Sequence, residues 1–113
     1  MSNKSEIKIE VTLDETQTPT KIEWEADTPE GKQKKESKAL LLSLFEAESL
    51  DTFKIDLWTT DLKIAEMDRL VYFTLKSLAD TYFKATKNEE LSSHMKSFAV
   101  HFGEYTKILD KAE

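Results

Sequence analysis

Short segments with alternating apolar and polar residues decide the fold of this chain. Residues 6–13 read Glu-Ile-Lys-Ile-Glu-Val-Thr-Leu, so every second side chain is apolar. Because successive side chains of a strand point to opposite faces, this pattern predicts a half-buried β-strand. Residues 21–26, Lys-Ile-Glu-Trp-Glu-Ala, repeat the alternation. The connection between them, residues 14–20, is polar and contains Pro19, so the three segments together predict a β-hairpin.

The middle of the chain predicts a helix followed by a third strand. Residues 28–31 read Thr-Pro-Glu-Gly, a turn cluster. The spacing of the apolar residues after this turn predicts a helix over residues 32–48. Residues 53–58 alternate again and predict the third strand. Trp58 is out of phase with the apolar residues of that strand, which places it on the charged face or just past the strand end.

Two long apolar stripes predict a helical hairpin in the last third of the chain. The first helix is expected over residues 62–85, and the second over residues 88–109 with Asn88 as its N-cap. Apolar residues of the second helix recur at spacings of four and three, which is typical of a coiled-coil seam. These residues are Leu91, Met95, Phe98, Phe102, Tyr105 and Leu109. The seam could pair within the chain or with a second copy, so a homodimer through residues 91–109 is one expectation.

The element order β-β-α-β-α-α predicts an α+β fold. A chain of 113 residues fits a single domain spanning residues 1–113. Hydrophobic residues make up 39% of it and charged residues 34%, which indicates a compact core inside a charged shell rather than a disordered acidic tail. The simplest sheet has three antiparallel strands in the order 2-1-3, with the helices on one face.

Composition excludes several classes of function. The chain has no cysteine, which excludes disulfides, zinc ribbons and thiol nucleophiles. Its net charge of −6 and its single arginine make nucleic-acid binding unfavourable. No apolar run approaches the roughly 20 residues of a membrane helix, and the first residues lack the apolar stretch of a signal peptide. We therefore expect a cytoplasmic protein without membrane insertion.

The sequence predicts no catalytic residues, no cofactor site and no metal site. His94 and His101 are two helical turns apart, about 10.5 Å, which is too far for one metal ion to bridge. Carboxylates and lysines alternate on the outer face of the predicted sheet, which indicates salt pairing rather than acid–base catalysis. We therefore expect a protein that is not an enzyme. The alternative is a ligand-binding domain or enzyme with a pocket between the sheet and the long helix, lined by Tyr72, Tyr82 or His101.

Three surfaces are candidates for contacts with a protein partner. Trp58 is a large aromatic residue on a charged face, which is typical of an interface anchor, although a loop or the start of the long helix could cover it. The lysine-rich segment after residue 31 could bind an acidic partner or could simply be solvated. Trp58 would act together with the acidic outer face of the sheet, and the terminal helical hairpin is the third surface. The candidate residues are Trp58, Lys32, Lys34, Lys35, Lys38, Glu10, Glu23 and Glu25.

Several stretches resemble the gliding motility-associated protein GldC family of Bacteroidetes. They are residues 21–26, 38–44, 55–61 and 74–81, in the family's order and spread over nearly the whole chain. The most specific stretch is Ile-Asp-Leu-Trp-Thr-Thr-Asp at 55–61, followed by Glu-Met at 66–67. The resemblance implies a small accessory protein of gliding, a surface motility linked to type IX secretion, with partners in the gliding machinery. The family carries no established catalytic motif, so the resemblance transfers no catalytic residue.

Overall fold

A computed structural model describes residues 3–110 of the chain and shows an α+β protein, as predicted. The chain forms two compact units, one ending at Leu62 and the other beginning at Lys63. Within the described residues, the regular elements of the first unit are all strands and those of the second are all helices. Each is described here by itself. The single domain over residues 1–113, and the placement of the helices on one face of the sheet, stay predictions.

Between residues 3 and 62, five strands form two antiparallel sheets. The three-stranded sheet contains β1 (Ile7–Leu13), β2 (Pro19–Thr28) and β3 (Gly31–Ser37) in that order, and the two-stranded sheet contains β4 (Ala39–Phe45) and β5 (Thr52–Trp58). The predicted strands correspond to β1, β2 and β5. The predicted order 2-1-3, with β1 in the centre and the third predicted strand beside it, is wrong. The central strand is β2, which lies between β1 and β3, and the third predicted strand, β5, belongs to the other sheet.

The predicted helix over residues 32–48 is also wrong, because β3 and β4 occupy this segment. Thr28 faces Gly31 in the ladder, so the chain reverses within two residues and β2 returns directly as β3. Gly31 has a φ of 110°, a conformation that favours glycine because it has no side chain. The turn cluster therefore joins two strands instead of preceding a helix.

Strand β4 shows why local preference was misleading. Its leucines suit a helix by propensity and spacing. Pairing with β5, however, sets Leu40 opposite Leu57 and Leu42 opposite Ile55. Cross-strand contacts of this kind are the main source of sheet stability, and they outweigh the weak helix propensity.

The apolar face of the three-stranded sheet holds the core of the first unit. Ile22 is fully buried and lies opposite Val11 in the ladder. Trp24 lies on the same face, opposite Ile9, as the alternation predicted. It is half-buried rather than enclosed, so Ile22 and not Trp24 is the centre of this core.

A bend at Lys38 keeps the apolar faces of the two sheets continuous. Ser37 of β3 and Leu40 of β4 line the same groove, although residues three apart on a regular strand point to opposite faces. Beyond the bend, the Thr59 amide donates to the Lys38 carbonyl at 2.8 Å, and the Thr60 amide donates to the Pro19 carbonyl at 3.2 Å. The end of β5 therefore lies beside the start of β2.

The second unit is the predicted helical hairpin. Its helices are α1 (Ile64–Thr86) and α2 (Glu89–Tyr105). Lys87 ends α1 in the left-handed conformation, with a φ of 61°, and the Asn88 side chain accepts a hydrogen bond from the Leu91 amide at 3.0 Å. An ion pair of 3.4 Å joins Lys96 to Asp80 across the hairpin.

The two helices meet along small residues rather than along the predicted seam. The buried residues of the two helices are Tyr72 and four small residues, namely Ala79, Ser92, Ala99 and Gly103. Of the predicted seam, Leu91, Phe98 and Tyr105 are exposed, whereas Met95, Phe102 and Leu109 are half-buried. Small side chains allow two helix axes to approach closely, so the contact line is displaced from the row of large apolar residues.

Candidate functional site

Trp58 stands at the end of β5, with 53% of its surface exposed. It lies opposite Ala39 in the ladder and shares its face of the sheet with Lys54 and Asp56. The apolar residues of the strand point to the other face, as the alternation predicted. In this structure Trp58 is therefore exposed rather than enclosed.

An open depression surrounds Trp58. It has a volume of about 260 Å³ and is lined by Trp58, Leu57 and Asp56 of β5 together with Thr18 and Pro19. The hydrogen bond from Thr60 to the Pro19 carbonyl holds these two segments side by side. An aromatic ring, a proline and a carboxylate in one shallow depression can accept a protruding apolar or cationic side chain.

The residues after Trp58 form a network that fixes the end of β5. Thr59 is buried, and its hydroxyl donates to the Asp61 carboxylate and approaches the Lys38 carbonyl at 3.2 Å. The Lys38 ammonium lies 4.0 Å from the Asp61 carboxylate. The hydrogen bond from Thr59, with a smaller contribution from the charge of Lys38, lowers the pKa of Asp61 below its ordinary value. Trp58 is thus held next to an ordered segment.

The candidate lysines belong to β3 and the bend after it, and they do not form one patch. Lys32 and Lys34 lie on the outer face of the three-stranded sheet, whereas Lys35 lies opposite Trp24 on the apolar face. Lys38 lies at the bend, where its carbonyl binds the residue after Trp58. Lys38 is therefore the candidate lysine that adjoins Trp58.

The candidate carboxylates lie on the outer face of the three-stranded sheet. Glu10 stands opposite Glu23, and Glu25 stands opposite Lys34. The Glu23 carboxylate is 3.7 Å from the Lys21 ammonium and 3.8 Å from that of Lys34. Charges of both signs therefore alternate on this face, which matches the expected salt pairing. The eight candidates are spread over several surfaces instead of converging on one site.

The first unit also contains an apolar groove that the sequence pattern did not predict. The groove has a volume of about 180 Å³, and its lining residues are Ile7, Ile9, Ile22, Trp24, Ser37 and Leu40. It forms because β4 continues the apolar face of β3. The prediction of a helix over this segment left no such continuous face. Small-molecule pockets usually have volumes of about 300–1,000 Å³, so this groove suits a side chain of a partner better than a free ligand.

The residues of the alternative ligand pocket lie on the helices. Tyr72 is buried within the hairpin, Tyr82 is half-buried and His101 is exposed beside Tyr105. A pocket that joins them to the sheet stays a prediction. Within residues 3–110, no three His, Cys, Asp or Glu side chains gather as a metal site would require. In the same part of the chain, neither helix is apolar enough over a sufficient length to span a membrane.

A comparison of the sequence with known protein families gives a match to a family associated with motility. The family described as gliding motility-associated protein GldC-like matches residues 19–108. The chain belongs to the GldC-like family. This confirms the resemblance seen in the sequence. Comparisons with curated proteins and with solved structures gave no match.

Most of the Trp58 depression lies inside the family region of this GldC-like protein, because all of its lining residues except Thr18 fall within residues 19–108. The matched residues begin at Pro19, whose carbonyl binds Thr60, and include all of β5 and both helices. Strand β1 lies outside the match, although it pairs with β2 along its whole length. The family is associated with gliding motility, and its description names no reaction or ligand.

Proposed function

We propose that this GldC-like protein is a non-enzymatic accessory protein of gliding motility that acts in the cytoplasm through protein–protein contacts. The observation that carries the proposal is the exposure of Trp58 beside an ordered network. Tryptophan is enriched among the few residues that dominate interface binding energy. A partner that covers this ring would remove a large apolar surface from water without first having to order the strand that carries it.

The chemistry around Trp58 indicates what the partner presents. The ring lies beside Pro19 and Asp56, so an arginine, or an apolar side chain next to a basic residue, fits the depression best. The net charge of −6 favours approach of a partner with a basic surface. The partner we propose is a component of the gliding machinery with such a segment.

The other candidate residues take secondary roles in this proposal. Lys32, Lys34, Lys35, Lys38, Glu10, Glu23 and Glu25 would adjust the rate and orientation of binding. Exposed ion pairs contribute only about 0–1 kcal/mol each, so none of these residues is expected to dominate affinity. The exposed residues Leu91, Phe98 and Tyr105 support a further surface on α2 for a protein partner. The homodimer through residues 91–109 is the alternative use of that surface.

Cross-linking with mass spectrometry in a gliding member of the Bacteroidetes tests the proposal. The host's own gene is deleted and replaced by the wild-type gene, by Trp58→Ala or by Leu50→Ala. Leu50 is a matched control, because it is also exposed but lies in the turn at the other end of the β4–β5 hairpin. With the wild type and with Leu50→Ala, we expect cross-links to machinery components and normal spreading on agar. With Trp58→Ala, we expect both the cross-links and the spreading to be lost.

Two results would contradict the proposal in different ways. If wild-type protein cross-links to no component of the gliding machinery, the accessory role in motility is wrong. If Trp58→Ala retains both the cross-links and the spreading of the wild type, the role stands but the Trp58 depression is not the contact surface.

A further inference from the structure

Strand β4 is an exceptional edge in the part of the chain that the structure describes. Four strands have an edge without a neighbouring strand there, namely β1, β3, β4 and β5. Charged residues within β1, β3 and β5 protect those edges, since charges discourage pairing with another chain. The sequence of β4, Ala-Leu-Leu-Leu-Ser-Leu-Phe, contains no charge, no proline and no glycine. Such an edge is a template for a further strand.

The ladder determines which backbone groups this edge offers. The Lys38 carbonyl accepts a hydrogen bond from Thr59 at one end of β4, and the Glu46 amide donates to Asp51 at the other. Hydrogen-bonded pairs alternate along an antiparallel ladder, so the even-numbered residues bond to β5. The odd-numbered residues direct their N–H and C=O groups to the open edge, and these are Ala39, Leu41, Ser43 and Phe45.

We propose that β4 pairs with β4 of a second copy of this chain, antiparallel and centred on Leu42. In this register Ala39 faces Phe45 of the second copy, and Leu41 faces Ser43 of the second copy. All four outward residues are then in hydrogen-bonded pairs, which gives about eight new backbone hydrogen bonds across the two-fold axis. Two β4–β5 hairpins become one four-stranded sheet. The inference concerns self-association and does not depend on the role in motility.

Charge complementarity selects both the second copy and the register. With Leu42 at the centre, Lys38 of each copy faces Glu46 of the other, so a two-fold axis forms two favourable pairs at once. If the register were displaced by two residues, Glu46 of one copy would lie opposite Glu36 or Leu40 of the other copy. Lys38 also lies 4.0 Å from Asp61, but an ammonium group carries three donors and can serve both carboxylates.

The exposed side chains of β4 give the pairing an apolar contribution. Leu41 is 40% exposed and Phe45 is 69% exposed, and both lie on the face that also carries Trp58. In the proposed register the Leu41 side chains of the two copies become diagonal neighbours, and Phe45 covers Ala39 of the other copy. The dimer would thus shield apolar surface that a single copy leaves in water.

Sedimentation equilibrium of the full chain tests the proposal with a backbone variant. Ser43→Pro removes an outward N–H without taking a hydrogen bond from the β4–β5 ladder, and proline is tolerated at such edge positions. Ser43→Ala is the matched control, because it keeps the N–H. We expect a concentration-dependent dimer for the wild type and for Ser43→Ala, and only the 13.0 kDa monomer for Ser43→Pro. Far-UV circular dichroism confirms that each variant is folded.

A charge exchange tests the register independently of the backbone. Glu46→Lys sets two lysines opposite each other at both ends of the dimer, and we expect its dissociation constant to rise about tenfold. Adding Lys38→Glu to this variant restores opposite charges and should recover most of the loss. Glu48→Lys makes the same change in net charge beyond the ladder and should leave the dissociation constant within about twofold of the wild-type value.

Three results would overturn the inference. The first is a wild-type protein that stays at 13.0 kDa up to its solubility limit. The second is a dimer that survives Ser43→Pro but is lost on substitution of Phe98, which would assign the interface to α2. The third is growth of wild-type protein into open-ended aggregates, since the proposed two-fold pairing closes at two copies.

Discussion

The main chain of Gly103 lies against the ring of Tyr72. A methyl group added at Gly103 would stand 2.7 Å from Cε1 of Tyr72 and 2.8 Å from Cδ1 of Leu109. Tyr72 is 4% exposed, so its ring has little room to move away. This close approach joins the first half of α1 to the end of α2 and sets the separation of the two helices.

Gly103→Ala should therefore destabilise the protein. Overpacking a closed contact costs about 1–3 kcal/mol, and the better helix propensity of alanine offsets at most about 1 kcal/mol. We expect a net loss of about 1–2 kcal/mol in the free energy of unfolding, measured by urea unfolding followed at 222 nm. Ser97→Ala, at an exposed position of α2, should stay within about 0.5 kcal/mol of the wild type. Equal stabilities for Gly103→Ala and wild type would show that the helices separate easily.

Ile22→Ala should be the most damaging single truncation in the first unit. Ile22 is the largest fully buried side chain among residues 3–110, and loss of buried methylene groups leaves a cavity that costs about 2–5 kcal/mol. Both tryptophans, Trp24 and Trp58, lie in the same unit, so tryptophan fluorescence during urea unfolding reports on it. Ile7→Ala, at a largely exposed position of β1, should cost less than about 1 kcal/mol. The idea of a core at Ile22 fails if the two variants lose equal stability.

Thr59→Val should raise the pKa of Asp61. The Thr59 hydroxyl is the main cause that lowers this pKa, and valine keeps the shape while removing the donor. We expect NMR titration of the side-chain carboxyl carbon to show the pKa of Asp61 returning towards its ordinary value of 3.8. The pKa of Asp14, which hydrogen bonds from Thr16 and Thr18 lower, should not move and serves as the control within the same spectrum.

The same lowered pKa predicts a pH dependence of stability. A carboxyl group whose pKa is lower in the folded chain than in the unfolded chain stabilises the fold above the unfolded value of 3.8. This contribution is lost as the pH falls through the folded pKa. Asp61→Asn should therefore lower the melting temperature at pH 7, and the difference from wild type should shrink at about pH 2–3. A difference that stays constant with pH would contradict the assignment.

Asn88→Ala should weaken the start of α2. The Asn88 side chain accepts a hydrogen bond from the Leu91 amide, one of the donors that have no partner within the helix. Loss of such a cap costs about 1 kcal/mol, whereas Asn88→Ser keeps a capping oxygen and should cost only a few tenths. Thermal unfolding followed at 222 nm measures both. If alanine and serine at this position give the same melting temperature, the cap contributes nothing to stability.

Regular periodicity made most elements predictable. Period-two alternation gave β1, β2 and β5 to within a few residues, and the apolar stripes gave both helices. The phase of Trp58 in β5 predicted the face on which it lies, but did not decide whether that face is covered. In contrast, the apolar groove left no local signal, because its lining residues come from strands that are distant in sequence.

The sequence by itself determined the alternating strands, the helical hairpin, the absence of cysteine chemistry and the membership of the GldC-like family. Tertiary structure alone decided that residues 32–45 form two strands, because the leucines of this segment suit a helix equally well until β2 and β5 offer partners. It also decided which row of each helix is buried, since close approach required alanine, serine and glycine instead of the largest apolar side chains. The open edge of β4 belongs to this second group, because an edge is defined by the strands beside it and not by the residues within it.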